Sequence, residues 1–409
     1  MITQVRTARP SISLGGVDYY NQLAPYLLKF QYTDSSDGQK TDDCQFELAD
    51  RDRKFINEWM PAPGATFDAS ILCERWFGPT AATLELPCGT FYIDSIEFDL
   101  PAHTVSVKAN AIPNNTHGKV SNETRGWGDG TPGSGGGGIT LRDIVNQIAA
   151  KNNLKPVYPD NLRNPKYDRV EQVEESAFQF IKRHANDAKL EMKIAKGQLI
   201  IFDPLTMDQA APSFTLVYGD VSGVGDTTIF RMSGGRFRLQ VTDLTASTVI
   251  SNTDIADGET TSREFDANQL LQGTGVGAGE SVAFPSTWKD NLNWNTDVQQ
   301  GAGGGGAPSG QKSTRDDPTA GLVGVYSNDS GAADAALTKA QARTREKNRR
   351  QYESDIVMAI GNPLVAAGQT FILVGCGQFD GKWFIETAHH VVAPMYDTTL
   401  HIRRTLDGY

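Results

Sequence analysis

Cysteine is scarce. The chain has 409 residues and four cysteines, Cys44, Cys73, Cys88 and Cys376, with no Cys-x-x-Cys pair among them. That pattern argues against a disulfide framework, and leaves the thiols as small hydrophobes inside strand-like runs. No stretch approaches the ~18 consecutive apolar residues of a membrane helix, and the opening MITQVRTARP holds no apolar signal core. The expectation is a soluble protein made in a cytoplasm. Positive charge is also short, with 38 Lys and Arg against 49 Asp and Glu and a formal net charge of -11. Gripping nucleic acid needs cations that displace phosphate counterions, so a dedicated nucleic-acid binder is excluded, though not a surface past which nucleic acid slides.

Catalytic signatures are missing too. The sequence contains no HExxH, no GxSxG and no GK[ST] behind a Gly-rich loop, and the run Gly273–Glu280 has no lysine to reach a phosphate. His389 and His390 are neighbours in a strand, so they face opposite sides and cannot share a metal. His184 reads as a surface or capping histidine. The acid pairs Asp42/Asp43 and Asp50/Asp52 read as solvated positions beside strands rather than glycosidase carboxylates. No catalytic residue, metal or cofactor is expected.

What the chain has in quantity is alternation. Apolar residues recur at every second position in Leu28, Phe30 and Tyr32; in Cys44, Phe46 and Leu48; in Phe67, Ala69 and Ile71; in Phe91, Ile93 and, after a slip, Ile96; and in Val105, Val107 and Ala109. Period two marks half-buried strands, and the turn residues between the runs fall at the spacing of an antiparallel sheet or small barrel. Residues 1–113 are therefore expected to form a first β-barrel. Gly126–Gly138 can bury no core, so 114–138 is read as a linker. At Thr140 the period turns helical through Leu141, Ile144, Val145 and Ile148, with Asp143 completing a capping box. A second amphipathic helix follows over Ser176–Ala188, then a hairpin about Lys196-Gly197, which makes 139–205 a small α+β insert. Strand patterns resume at Phe214 and Phe237 and again from Ile356. A second barrel is assigned to 206–252 and 338–409, interrupted by a polar, Gly-rich, acidic excursion over 253–337.

The two β-regions match each other. Gly89-Thr-Phe-Tyr-Ile-Asp-Ser-Ile aligns with Gly381-Lys-Trp-Phe-Ile-Glu-Thr-Ala, and each is preceded by a related turn, Gly64-Ala-Thr-Phe or Gly368-Gln-Thr-Phe. A shared order of such segments points to duplication. Two similar domains per chain give six around a three-fold axis, so a ring of three chains can sit flush on a six-fold ring.

Several segments resemble the late control D family, baseplate hub proteins of contractile-tailed phages and related injection particles. They are Ala8-Arg-Pro, Leu27-Leu-Lys-Phe-Gln-Tyr-Thr-Asp, Asp43-Cys-Gln-Phe-Glu-Leu-Ala-Asp-Arg-Asp, Gly89 through Asp99, Ser176 through Ala185, and Gly197-Gln-Leu-Ile-Ile-Phe. The resemblance implies an α+β, mainly β fold: two tail-tube-like antiparallel β-barrel domains, an inserted small α+β domain and long Gly-rich loops. It also implies a homotrimeric, non-enzymatic hub in the virion tail, assembled in the host bacterial cytoplasm. Its partners would be a hexameric tail tube protein, a trimeric central spike protein, a tape measure protein and other baseplate proteins. DNA would be met only in transit, and no stable membrane association is implied.

One local excess of positive charge stands out. Lys339, Arg343, Arg345, Lys347, Arg349 and Arg350 fall in a stretch, Thr338–Ser354, read as a helix. Arg343, Lys347 and Arg350 share one face and are the interface candidates, expected to meet an acidic surface on a neighbouring subunit or baseplate protein. Two other functions stay open on sequence: a cell-wall-degrading tail-tip enzyme, and a glycan-binding tail protein using Trp127, Trp288 and Trp294 as stacking platforms.

Overall fold

Strand alternation and turn chemistry fold the N-terminal region into β1 (Thr7–Leu14), β2 (Val17–Asp18), the single turn α1 (Tyr20–Leu23), β3 (Leu27–Ser35), β4 (Asp43–Ala49), β5 (Thr66–Glu74), β6 (Leu84–Asp99) and β7 (Thr104–Asn110). Next come β8 (Asn122–Gly128), β9 (Ile139–Thr140), α2 (Leu141–Lys151), β10 (Lys155–Val157), β11 (Lys166–Tyr167), β12 (Arg169–Ser176), α3 (Ala177–Asp187), β13 (Glu191–Ala195), β14 (Gln198–Phe202) and α4 (Pro204–Gln209). The remaining strands are β15 (Phe214–Val217), β16 (Ile229–Leu239), β17 (Ser247–Thr253), β18 (Thr260–Asp266), β19 (Val323–Asn328), β20 (Tyr352–Met358), β21 (Thr370–Val374), β22 (Gly381–Val392) and β23 (Tyr396–Arg404). This is a computed structural model, and it describes residues 5–36, 41–62, 64–78, 80–113, 122–128, 138–219, 228–239, 247–253, 260–266, 323–328 and 349–405. The chain divides into two compact units, Met1–Leu239 with Tyr352–Thr405, and Gln240–Gln351 with Leu406–Tyr409.

The larger unit contains the same five-strand module twice. Its strands run β5-β6-β7-β4-β3 in one copy and β21-β22-β23-β20-β16 in the other. Registers coincide residue for residue. Thr66 pairs with Tyr92 as Thr370 pairs with Phe384; Ile93 pairs with Ala109 as Ile385 pairs with Ile402; Cys44 pairs with Ala109 as Ser354 pairs with Ile402. Two bulges recur as well. Asp94 and Glu386 are the extra residues at the same point of the matching motifs, and Leu28 and Ser233 are the extra residues of β3 and β16. The turn glycines repeat: Gly64 at φ 77 and Gly368 at φ 87 occupy left-handed backbone that a β-carbon disfavours. Each turn exchanges two backbone bonds with its central isoleucine: Gly64 N to Ile93 O and Ile93 N to Ala65 O in one copy, Gly368 N to Ile385 O and Ile385 N to Gln369 O in the other. Strand composition alone does not fix bulges and registers, so the shared motif reflects shared backbone.

The copies are finished differently. In the second, β15 pairs with both β21 and β16 and closes a six-stranded barrel; both of these pairings are parallel, set in an otherwise antiparallel ladder. Alternation looks the same in either direction, which is why the parallel pairs are invisible in the sequence. In the first, β1 pairs antiparallel with β5, and the free edge of β3 is taken by β22. The first core comprises Phe30, Tyr32, Cys44, Phe46, Phe67, Ile71, Cys73, Cys88, Phe91, Val105 and Val107 with their neighbours, and Val392 and Tyr396 complete it. Cys44, Cys73 and Cys88 are buried and Cys376 half-buried, all as free thiols.

The insert has its own core. Leu141, Ile144, Val145 and Ile148 of α2 pack with Phe178, Phe180 and Ile181 of α3 and with Leu199 and Ile201 of β14. Both helices begin with capping boxes, Thr140 with Asp143 and Ser176 with Gln179. Lys196 and Gly197, at φ 51 and 69, make the hairpin turn between β13 and β14. Beyond it, α4 docks on the second barrel: the Asp208 carboxylate takes two hydrogen bonds from the buried Arg403, Nη2 to Oδ1 at 2.7 Å and Nη1 to Oδ2 at 3.0 Å.

Four assignments change. Asn122–Gly128, inside the expected linker, is strand β8, paired with β12. Its Gly128 lies against Asp168, whose carbonyl oxygen would be 2.3 Å from an added β-carbon, so this glycine serves close approach rather than flexibility. The expected Gly-rich excursion contains β18 and β19, which sandwich β17 in a three-stranded sheet of the smaller unit; Ser247–Thr253 is therefore no part of the barrel. Tyr352–Ser354 begins β20 rather than ending a helix, because Tyr352 and Ser354 fill alternate buried positions. Leu28, expected inward, is exposed because the bulge turns it out.

Candidate functional site

The two modules share a strand. Thr387–Val392 of β22 pairs antiparallel with Ser35–Phe30 of β3 on one edge and with β23 on the other. An exposed edge is a template for unwanted pairing, and this seam covers it within the chain. A loop of the first module reaches across as well: Trp76 donates its Nε1–H to the Gly361 carbonyl at 2.9 Å, and its ring lies 5.4 Å from that of Tyr396.

Buried polar groups converge on the seam. Ser36 N–H donates to the Glu386 carbonyl at 2.8 Å, and the Ala367 N–H donates to Asp34 Oδ2 at 2.9 Å. From the insert, Lys193 of β13 places Nζ 2.7 Å from Asp34 Oδ1 and 3.1 Å from Asp42 Oδ1. One ammonium thus fastens the insert, β3 and the entry to β4. Burial lowers the lysine pKa, but the two carboxylates more than reverse this, so it stays charged. Burial raises Asp42 to about 6, partly opposed by Lys193. On the same buried face His390 is fully buried and stacked on its register partner Tyr32, two positions along β3 from Asp34, with Nδ1 2.8 Å from the Tyr396 hydroxyl; burial lowers its pKa to about 4, partly opposed by Asp34.

These two shifts predict opposing pH dependences. Asp42 titrates near 3.8 unfolded and about 6 folded, so the folded state holds more protons between those values and its stability falls as pH rises through them. His390 titrates near 6.5 unfolded and about 4 folded, so the folded state holds fewer protons and stability falls as pH drops through that window. In the wild type the two slopes oppose each other between about pH 4 and 6. Asp42→Asn should lose about 3 kcal/mol on acidification, at 1.36 kcal/mol per pKa unit, and His390→Asn should gain a similar amount. Urea midpoints across pH measure this; parallel profiles for the two variants would contradict it.

The residues singled out in the sequence fall in several places. Arg343 and Lys347 lie outside the described residues, as do Trp288 and Trp294, while Arg350 is exposed. His389 and His390 do face opposite sides, His389 toward Gln31 and Thr33 of β3. His184 is buried rather than superficial, its ring edge-on to Phe180 at 4.6 Å and to Tyr167 at 5.2 Å. Asp42 and Asp50 are buried rather than solvated; Asp50 accepts from the Phe55 and Ile56 amides and shapes the turn after β4. Trp127 is buried against Phe180, which removes it as a glycan platform. Lys193 and Asp34 were not singled out; each is ordinary strand content until the other arrives.

No family model matches the sequence, and no curated protein matches it. Solved structures do. The 43 kDa tail protein of prophage MuSo2 from Shewanella oneidensis superposes with a TM-score of 0.59 at 11% identity, covering 98% of this chain and 99% of that one. A tail protein from Neisseria meningitidis MC58 gives 0.60 at 11% identity over the same shares. A chain of a PdpA–VgrG complex gives 0.52 at 9% identity, covering 99% of this chain and 66% of that one. The chain therefore has the fold of these two tail proteins.

Proposed function

We propose that the chain is a structural, non-enzymatic baseplate hub of a contractile phage tail or related injection particle, working as a trimeric symmetry adaptor. The observation that carries this reading is the duplicated module, with common registers and common bulges. Three chains would present six near-equivalent modules to a hexameric tail tube and a three-fold face to a central spike. The seam through β22 and the Lys193 clamp give such a part the rigidity needed to carry load between two rings. A net charge of -11 suits a channel wall, since an acidic surface repels phosphate and lets DNA pass with the tape measure protein without sticking. The basic face of Arg343, Lys347 and Arg350 would contact an acidic surface of a neighbouring subunit or baseplate protein.

Co-expression with the tube and spike proteins of the same particle tests the reading. The expected product is a complex containing all three, with no release of fragments from purified murein. A chain that joins neither partner, or that degrades murein, would overturn it.

A further inference from the structure

A polar cluster on the second barrel has no counterpart in the first. His401 of β23 is flanked by Asp355 of β20 and by the bulged Glu386 of β22, with Glu353 two residues along β20 from Asp355. The bulge aims the Glu386 carboxylate at this point, where it is 95% buried by its 5% side-chain exposure. Its Oε1 is held by Arg403 Nε at 3.1 Å, while its Oε2 faces His401 Nε2 at 3.7 Å, beyond hydrogen-bond range. Asp355 Oδ1 lies 2.8 Å from His401 Nδ1, so Nδ1 donates to that carboxylate and Nε2 is the ring nitrogen that faces Glu386. Donor atoms of Glu353, Glu386 and His401 all fall within 4.8 Å of one another.

We propose that Glu353, Glu386 and His401 bind a divalent transition-metal cation of the zinc class. One imidazole and two carboxylates suit such an ion, and leave a fourth, outward position for water. An imidazole oriented by a carboxylate through its far nitrogen is the usual outer support of a metal-bound histidine. Arg403 is divided between Asp208, which engages its Nη atoms, and Glu386 Oε1, while Arg236 and Arg238 of β16 stand opposite Asp355 and Glu353, so the ion is supported by the donor geometry rather than by an excess of acid. In the first module Asp43, Asp94 and Lys108 occupy the matching register positions, so a lysine stands in place of the imidazole and that module lacks the donor set. Bound there, the ion would tie β20, β22 and β23 together beside the seam.

Titration of the chelator-treated full chain with Zn²⁺ by calorimetry, and with Co²⁺ by visible absorption, tests this. The expected result is one equivalent bound, with a tetrahedral Co²⁺ spectrum and a raised melting temperature. His401→Ala, at a half-exposed position that should leave folding intact, should abolish the signal. Asp355→Asn should weaken binding by about 10–100-fold while leaving all three ligands in place. No saturable binding by the wild type, or unchanged binding by the His401→Ala variant, would overturn the proposal.

Discussion

Lys193→Met should lower the unfolding free energy by about 3–5 kcal/mol, the usual effect of removing one partner from a buried ion cluster. The ammonium is the cation shared by Asp34 and Asp42, whose side chains are 11% and 2% exposed. Without it, two carboxylates remain together in a poorly hydrated pocket, and Asp42, already raised to about 6 by burial, is pushed further up. Methionine keeps most of the alkyl volume, so the loss reports charge rather than packing. Adding Asp34→Asn and Asp42→Asn to this variant should recover much of the stability, because no uncompensated charge is then buried. Denaturant unfolding followed by tryptophan fluorescence measures the loss. Hydrogen exchange should show β13 opening first, since the clamp is what ties that strand to β3. A change below ~1 kcal/mol, the range of a surface ion pair, would show that the clamp does not hold the insert.

Arg403→Met should be about as severe. Arg403 is 1% exposed, takes both Asp208 oxygens through its Nη atoms, holds Glu386 through Nε, and stacks 4.4 Å above the Phe384 ring. Its removal strands two buried carboxylates on different elements, one on α4 and one on the β22 bulge, at about 3–5 kcal/mol. In chelator-containing buffer, Asp208→Asn with Glu386→Gln in the same chain should restore most of the loss. The readout specific to this site is protease sensitivity around α4, which is anchored through the Asp208–Arg403 pair and the Lys382 Nζ bond to the Asp208 carbonyl at 2.6 Å. Cleavage elsewhere first would contradict the anchoring role.

Much of the scaffold can be read from the residues. Period two locates most strands, the capping boxes start α2 and α3 where Thr140 and Ser176 stand, and the slip between Ile93 and Ile96 is the Asp94 bulge. The matching Gly-aromatic-aromatic-Ile-acid motifs mark duplicated backbone. What escapes a linear reading depends on distant partners. Asp42 resembles a solvated acid until Lys193, 151 positions away, is folded onto it. Trp127 sits between glycines that suggest a flexible loop, yet β12 and Phe180 give it a partner strand and a packing surface. The seam was equally hidden: alternation in β22 says that it is a strand, not that β3 and β23 both pair with it. Parallel pairing at β15 is silent for the same reason. The interface candidates Arg343 and Lys347 lie outside the described residues.

The central claim is that one chain carries two equivalent modules so that three chains match a six-fold ring. Electron microscopy of the chain assembled on its tube protein tests this most directly. The account predicts three copies per ring, with the modules β3–β7 and β16 with β20–β23 alternating around the axis as six similar lobes, and a ring mass of three times the 44.4 kDa chain. Six copies per ring, or a single copy on the axis, would contradict it.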